Sequence, residues 1–329
     1  MTYQAAGVTL ADVQRSVTGQ LDAVVTQLRA IVAADFPLIQ EVNGHLLQMK
    51  GKQFRPTLLL LANEASGGRD ARAVRLAAVI ELIHLATLVH DDSVDHSVLR
   101  RGMPTVNALF SHQVSVIMGD YLYSRAIIEL VRLDDLEPLR VLSRVTNEMT
   151  VGEMRQLAQF DALAFRESDY EVTIRSKTAT LLSAACESGA LRAEPRLRAA
   201  LRAYGDALGM AFQITDDLLD YTEAESVTGK PGGQDLREHK VTLPLIAVLG
   251  HLTPSERTGV ERLFSTPAPT DDQVAMVIAL ADRYGGLTYA RERAAAYAAQ
   301  AEAALEELPP SSAREALAGA IAYAVERRS

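Results

Sequence analysis

Apolar positions recur at three- and four-residue steps from early in the chain. Leu10, Val13, Val17, Leu21, Val24, Leu28 and Val32 form one stripe, and Thr9 with Asp12 supplies a capping pair in front of it. This spacing predicts an amphipathic helix. Further on the polar face disappears: a helix predicted from Ala71 to about Asp95 is apolar nearly all round between Leu76 and Val89, which places it in a core. Another helix reads from about Val114 to Leu133, and a long one follows the break at Pro195. The interruptions STPAPT (265–270) and PPSS (309–312) read as turns, and the Gly-rich polar stretch SVTGKPGGQDLREHK (226–240) reads as a mobile loop. No linker, repeat or low-complexity tract divides the pattern. Residues 1–329 are expected to form one all-α domain of ten or more helices.

Composition supports that reading. Apolar residues make up 48% of the 329, aromatics only 5%, and Trp is absent. Ala and Leu dominate, and β-branched runs are few. The net charge of −9 argues against nucleic acid as the partner. Cys186, the single cysteine, excludes an internal disulfide and reads as a small buried filler in a reducing compartment. The opening residues lack a basic and an apolar region, so no secretory leader is expected. No run approaches ~18 uninterrupted apolar residues, so no membrane span is expected either. The cytoplasm is the predicted location.

Two acidic segments change the picture. LVHDDSVDHSVLRRG, from Leu88, carries Asp91, Asp92 and Asp95, and AFQITDDLLDY repeats the spacing at Asp216, Asp217 and Asp220. On a helix, residues i and i+4 share a face and i+1 flanks them. Neighbouring carboxylates at about 4 Å repel by roughly 4 kcal/mol at an effective dielectric near 20. A buried helix holds three of them only if protons or cations neutralise them. All-oxygen ligands suit Mg²⁺, which keeps several waters and shares its shell with phosphates. His90 and His96 flank the first triplet but lie six residues apart, on different faces, and no Cys or His cluster suits zinc.

These motifs resemble those of trans-isoprenyl diphosphate synthases of the long-chain, polyprenyl type. The two Asp triplets match that family's first and second Asp-rich motifs in order and spacing. GKQFRP (51–56), ELIHLATLVHDD, RRG (100–102), Gly119-Asp120, KTA (177–179), FQITDD and GKPGGQDLREHKVTLPL match as well, over nearly the whole chain. The sequence departs from the pattern at Lys50 and Gln53, and at His239, where Gly is common before the last Lys. The resemblance implies an antiparallel helix bundle around a deep central cavity, a homodimer, and about three Mg²⁺ ions shared with a diphosphate. It implies that Lys52, Arg55, His84 and Arg101 hold isopentenyl diphosphate. Arg100, Lys177, Thr178, Gln213, Lys230 and Lys240 would then contact the allylic diphosphate, with all six Asp of the motifs as metal ligands and Lys177 counted with them in catalysis.

The expected reaction is a repeated head-to-tail condensation of isopentenyl diphosphate with an allylic primer, farnesyl diphosphate by preference. Ala86 and Thr87 precede Asp91 by five and four residues, about 6–7.5 Å along a helix. Short-chain members of the family tend to carry aromatics there, and small residues leave a channel open. A product of about C30–C50, centred on C40, is expected, with Ile127 a candidate for its floor. So apolar a product implies slow release, aided by transient membrane contact. Three other readings compete. One is a shorter-chain, geranylgeranyl-type synthase. A class I terpene cyclase would carry a different second motif and more aromatics, and a non-catalytic subunit would have lost Asp or cationic motifs.

Overall fold

The computed structural model describes residues 7–49, 51–68, 72–157, 162–222 and 232–326. Among these the fold is all-α apart from one two-stranded hairpin. Thr9 and Asp12 form the expected capping box, each accepting from the other's backbone N–H. The stripe behind them is interrupted, however. Helix α1 (Leu10–Gln14) passes into a 3₁₀ turn at Arg15–Val17 before α2 (Thr18–Ile31) resumes. The tighter turn keeps Val13, Val17, Leu21, Val24 and Leu28 all buried.

Helices α3 (Pro37–Gln48) and α4 (Phe54–Ala65) lead to α5 (Arg72–Val94). Its buried residues lie all round the helix, from Ala73 to Val89. By length and composition α5 could cross a membrane, but 61% of its apolar window is buried within the protein, so it is a core helix here. It is the single such helix among the described residues. The hairpin β1 (Leu99–Arg100) and β2 (Met103–Pro104) follows, then α6 (Val106–Leu109), α7 (His112–Val131) and α8 (Leu136–Leu157). Helix α5 packs against α7, α4 and α2.

Helix α9 (Glu167–Ile174) continues through a π-helical turn, Arg175–Ala179, into α10 (Thr180–Gly189). The long α11 (Pro195–Thr222) starts at the expected proline, which suits a first helical position. Then come α12 (Gln234–Arg237), α13 (Leu243–Ile246), α14 (Pro254–Ser265), α15 (Asp271–Arg283), α16 (Gly286–Leu305) and α17 (Ser312–Glu326). The stretch expected to be a loop thus contains a helical turn, because Asp220 accepts hydrogen bonds from the N–H groups of Gln234 and Asp235, both at 3.0 Å. Two apolar cores result. One joins α2, α4, α5, α7 and α10, and includes Cys186; the other lies between α9, α11 and the helices that follow them.

Close approach of α11 to the π-helical turn is what glycine permits at position 209. A Cβ there would lie 2.4 Å from Cα of Ala179. Gly209→Ala is expected to cost about 1–3 kcal/mol by overpacking. Gly19→Ala, on α2 with nothing within 4 Å of the added carbon, should instead gain about 0.5–1 kcal/mol. Chemical denaturation of both variants checks the contrast.

Candidate active site

The first Asp triplet sits at the C-terminal end of α5. Asp95 lies one residue beyond the helix, and the chain reverses through His96, whose φ is +52°. His96 N–H bonds to the carbonyl of Ser93 and Ser97 N–H to that of Asp92, the pair of bonds that closes a helix end with a left-handed residue. The helix dipole is negative at this end, so three carboxylates here add to an existing negative charge. Each has a different environment. Asp91 faces Lys177, with Nζ 3.8 Å from Oδ2. Asp92 is buried and held by Arg100, whose Nε lies 2.8 and 2.9 Å from its two oxygens. Asp95 is exposed. Burial raises the pKa of Asp91 to about 6; Lys177 opposes the rise, and Glu153 and Asp95 add to it.

The RRG motif is the hairpin turn. Arg101 and Gly102 both have positive φ, +52° and +75°, as a two-residue type I′ connection requires. The turn sends Arg100 to Asp92 and Arg101 to the other side, where its Nη1 donates to the carbonyl of Met49. A Cβ on Gly51 would sit 2.9 Å from that same nitrogen, so the first residue of GKQFRP makes room for Arg101. Glu81, buried on α5, shares this corner with Arg55 and Arg101. Burial raises its pKa and the two guanidinium groups oppose the rise. Burial likewise lowers Arg55 to about 10, and its Nε has no hydrogen-bond partner. Burial, then Arg55, Arg101 and Arg100, hold His84 well below its ordinary value, so it is neutral at pH 7. A neutral imidazole and a guanidinium with an unused buried donor suit an anion at this corner. Lys52 is exposed beside it, its carbonyl bonded by Gln14.

The second triplet ends α11, again at a negative helix terminus. Asp217 is buried, and both its oxygens accept: Oδ1 from Gln213 at 2.7 Å and Oδ2 from Tyr170 at 2.6 Å. Gln213 in turn accepts from Thr178 at 2.8 Å. Asp220 caps α12, and Asp216 is half-buried. Burial and the negative charge of Asp217 and Asp220 push Asp235 upward. Lys240 is delivered next to this group by a second left-handed helix end, with His239 at φ +56°. Its Nζ lies 2.7 Å from Glu238. The Gly expected before that lysine corresponds to a real backbone demand, which His239 meets while bonding the carbonyl of Thr266.

The π-helical turn joins the two motifs. Lys177 reaches Asp91 and Glu153 while its neighbour Thr178 reaches Gln213 and hence Asp217. Below Asp91 opens a cavity of about 540 Å³. Its walls are Ile83, Ala86 and Thr87 on α5, Tyr123 on α7, and Thr146 and Met149 on α8. His90, at the mouth, packs on Gly119, where a Cβ would come within 2.2 Å of the ring, and lies 3.3 Å from Asp120. No group of three or more acidic, imidazole or thiol side chains among the described residues is arranged to hold an ion by itself. Asp91 and Asp95 on one side and Asp216 on the other are oxygen donors of the kind a hard cation takes when phosphate supplies the remaining ligands, so the residues fit Mg²⁺ shared with a diphosphate.

Comparison with known proteins agrees with this geometry. The sequence profile of polyprenyl synthetases matches residues 36–281. The chain belongs to the polyprenyl synthetase family. It is 40% identical over 298 residues to the all-trans-nonaprenyl-diphosphate synthase (geranyl-diphosphate specific) of Rhodobacter capsulatus, covering 90% of this chain and 91% of that one. It is 38% identical to the octaprenyl diphosphate synthase of Escherichia coli K12, with 93% and 94% covered. A crystal structure of polyprenyl synthase from Caulobacter crescentus CB15, complexed with calcium and isoprenyl diphosphate, superimposes with a TM-score of 0.92 at 34% identity, covering 98% of each chain. The protein is therefore a prenyltransferase with the all-α polyprenyl synthase fold.

Of the residues expected in the site of this polyprenyl synthetase, the structure brings Asp91, Lys177, Thr178, Gln213 and Asp217 together and gathers Arg55, His84 and Arg101 at a separate corner. Lys230 lies outside the described residues. Ile127 does not line the cavity; the hydroxyls of Tyr123 and Thr146 bond across it at 3.1 Å, one turn nearer the mouth. Arg100 is engaged by Asp92 and Lys240 by Glu238. Glu81, Glu153, Asp235 and Tyr170 were not foreseen, because each is a lone residue with no spacing to announce it.

The raised Asp91 has a measurable consequence. Its unfolded pKa is about 3.9 and its folded value about 6, so between these pH values the folded state binds more protons. Without divalent ions, stability should fall as pH rises from about 4 to 6 and this contribution should level off above. Asp91→Asn is expected to reduce that slope by Asp91's share, as followed by urea titrations across the range, while Asp217 and Asp235, also raised by burial, keep the remainder.

Proposed function

We propose that the protein is an Mg²⁺-dependent synthase. It would condense isopentenyl diphosphate repeatedly, head to tail, with an allylic diphosphate, preferably farnesyl, to give an all-trans polyprenyl diphosphate of about C30–C50, centred on C40. The observation that carries this reading is Lys177, 3.8 Å from Asp91 and joined through Thr178 and Gln213 to Asp217, at the mouth of a cavity walled by Ile83, Ala86 and Thr87. The kinship with octaprenyl and nonaprenyl synthases supports the long product.

Position and charge support these roles for the described residues, and the family resemblance supports that of Lys230. Arg55, Arg101, His84 and Lys52 hold isopentenyl diphosphate in the corner beside Glu81. Lys177, Thr178, Gln213, Arg100, Lys230 and Lys240 serve the allylic diphosphate, with the six Asp of the two motifs as metal ligands; Asp92, Asp217 and Asp220 also fix the segments around them. Magnesium, when bound, neutralises these carboxylates and polarises the diphosphate leaving group. The side chains orient the two substrates so that the isopentenyl double bond faces the allylic carbon as its C–O bond breaks; the proton then passes to the released diphosphate. Positioning and charge stabilisation do the work.

The growing tail passes Ala86 and Thr87. On the α8 side Ser143, Asn147 and Thr150 line the cavity but are exposed, so the wall is open there. Beside that opening the surface is apolar: Ile117 and Val131 on α7 and Met154 on α8 are 63%, 64% and 62% exposed. A homodimer in which a second copy covers α7 and α8 hides this surface and closes the wall. We place this one-domain protein in the cytoplasm, with transient membrane contact when the product leaves.

Asp91→Ala and Asp217→Ala should each lower turnover by about 10²–10³-fold at saturating Mg²⁺. Purified protein with isopentenyl diphosphate and C10, C15 or C20 primers is the assay, and near-wild-type rates in both variants reject the reading. Turnover by the purified protein alone excludes the non-catalytic subunit. Ala86→Phe should shorten the product as weighed by mass spectrometry; an unchanged length rejects the proposed path of the tail.

A further inference from the structure

Tyr170 lies on α9, two turns before Lys177 on the same continuous helical segment. It is 2% exposed, among the apolar side chains of the second core. A phenylalanine would fill that space equally well, and a buried hydroxyl is costly without a partner. Its partner is Asp217. The carboxylate is then bonded on both sides, by Tyr170 at Oδ2 and Gln213 at Oδ1. The orientation of the Gln213 amide follows, since its nitrogen must face the carboxylate and its oxygen must face the Thr178 hydroxyl. The segment from α9 to the π-helical turn is therefore pinned to α11 at two points, Tyr170 below and Thr178 above. Asp217 and Gln213 are the common anchor.

We infer that Tyr170 is a positioning residue: it holds Asp217, and through Gln213 and Thr178 it fixes the π-helical turn that aims Lys177 at Asp91. It touches neither substrate. The inference rests on the function proposed above for its effect on turnover, but its structural part stands independently. With the hydroxyl gone, the buried carboxylate loses one of two donors and can turn. Gln213 is then released, and the turn carrying Lys177 loosens.

Two measurements on the full-length protein test this. In the condensation assay, Tyr170→Phe should lower kcat about tenfold while leaving the KM for isopentenyl diphosphate within about twofold, because that substrate's corner is built from α4, α5 and the hairpin. Because Thr178 also serves the allylic diphosphate, its part in the relay is read from hydrogen exchange: Thr178→Val should speed exchange of amides 175–179 as Tyr170→Phe does, and the double variant should speed it no more than either single one, since both cut the same relay. Additive acceleration would overturn the inference, as would a Tyr170→Phe kcat within twofold of wild type. Hydrogen exchange without substrate supplies the second arm. Amides 175–179 should exchange faster in Tyr170→Phe while those of α4 stay unchanged; equal acceleration in both regions, or none in 175–179, overturns the relay. If the wild type turns over no prenyl substrate, the proposed function has failed, and the exchange measurement still decides the relay.

Discussion

Two helices, α5 and α11, end in three aspartates each, at the terminus where the peptide dipole is already negative. Left uncompensated, that concentration of charge in a partly buried pocket is costly, and the carboxylates take up protons instead. The protein compensates it with its own donors, and each compensation also fixes a neighbouring segment. Asp92 holds the hairpin through Arg100, Asp217 holds the π-helical turn through Gln213, and Asp220 holds α12 through two backbone N–H groups. These three segments carry Arg101, Lys177 and Lys240 or lie directly beside them. Charge neutralisation and assembly of the cationic half of the site are thus one process.

The same arrangement explains why the apolar cavity opens where it does. Helix α5 is buried all round and delivers its acidic end directly above its own small residues, Ala86 and Thr87. A chain anchored by a charged head at Asp91 therefore meets hydrocarbon-compatible wall within one turn. Each CH₂ buried against such a wall would contribute about 0.8 kcal/mol. The Tyr123–Thr146 contact and the open seam beside α8 both depend on α7 and α8 rather than on α5. The cavity thus combines small residues of α5, Ala86 and Thr87, with a far wall built by α7 and α8.

What was legible in the sequence follows from this division. The Asp triplets announced themselves by spacing, because i, i+1, i+4 on a helix is a geometric statement. The burial of α5 was legible in its all-round apolarity. Ile127 does not line the cavity because helical periodicity says which face a residue occupies but not where a cavity ends; a hydrogen bond one turn earlier on the same helix, from Tyr123 to Thr146 on α8, comes in between. The 3₁₀ turn after Gln14 left no mark, since the apolar stripe tolerates it. Glu81 and Asp235 act through partners far away in the chain, and a single acidic residue in a helix looks alike whether it is solvated or buried against two arginines.

Backbone strain provides an independent line to the same site. Five non-glycine residues among those described have positive φ: Gln53, His96, Arg101, Asp134 and His239. Each such conformation costs about 1 kcal/mol or more relative to a right-handed one. Four of the five adjoin or are site residues: Gln53 follows Lys52, His96 follows Asp95, His239 precedes Lys240, and Arg101 is one itself. Strain of this kind persists only where surrounding contacts over-determine it, and here those contacts are the closures of helix ends and a two-residue turn. Glycine would remove the cost at each position, yet at Arg101 it would remove the guanidinium and at His239 the bond to Thr266. The chain accepts unfavourable dihedrals where sharp reversals must bring a charged side chain to the mouth of the cavity, and that concentration marks the site without reference to its aspartates.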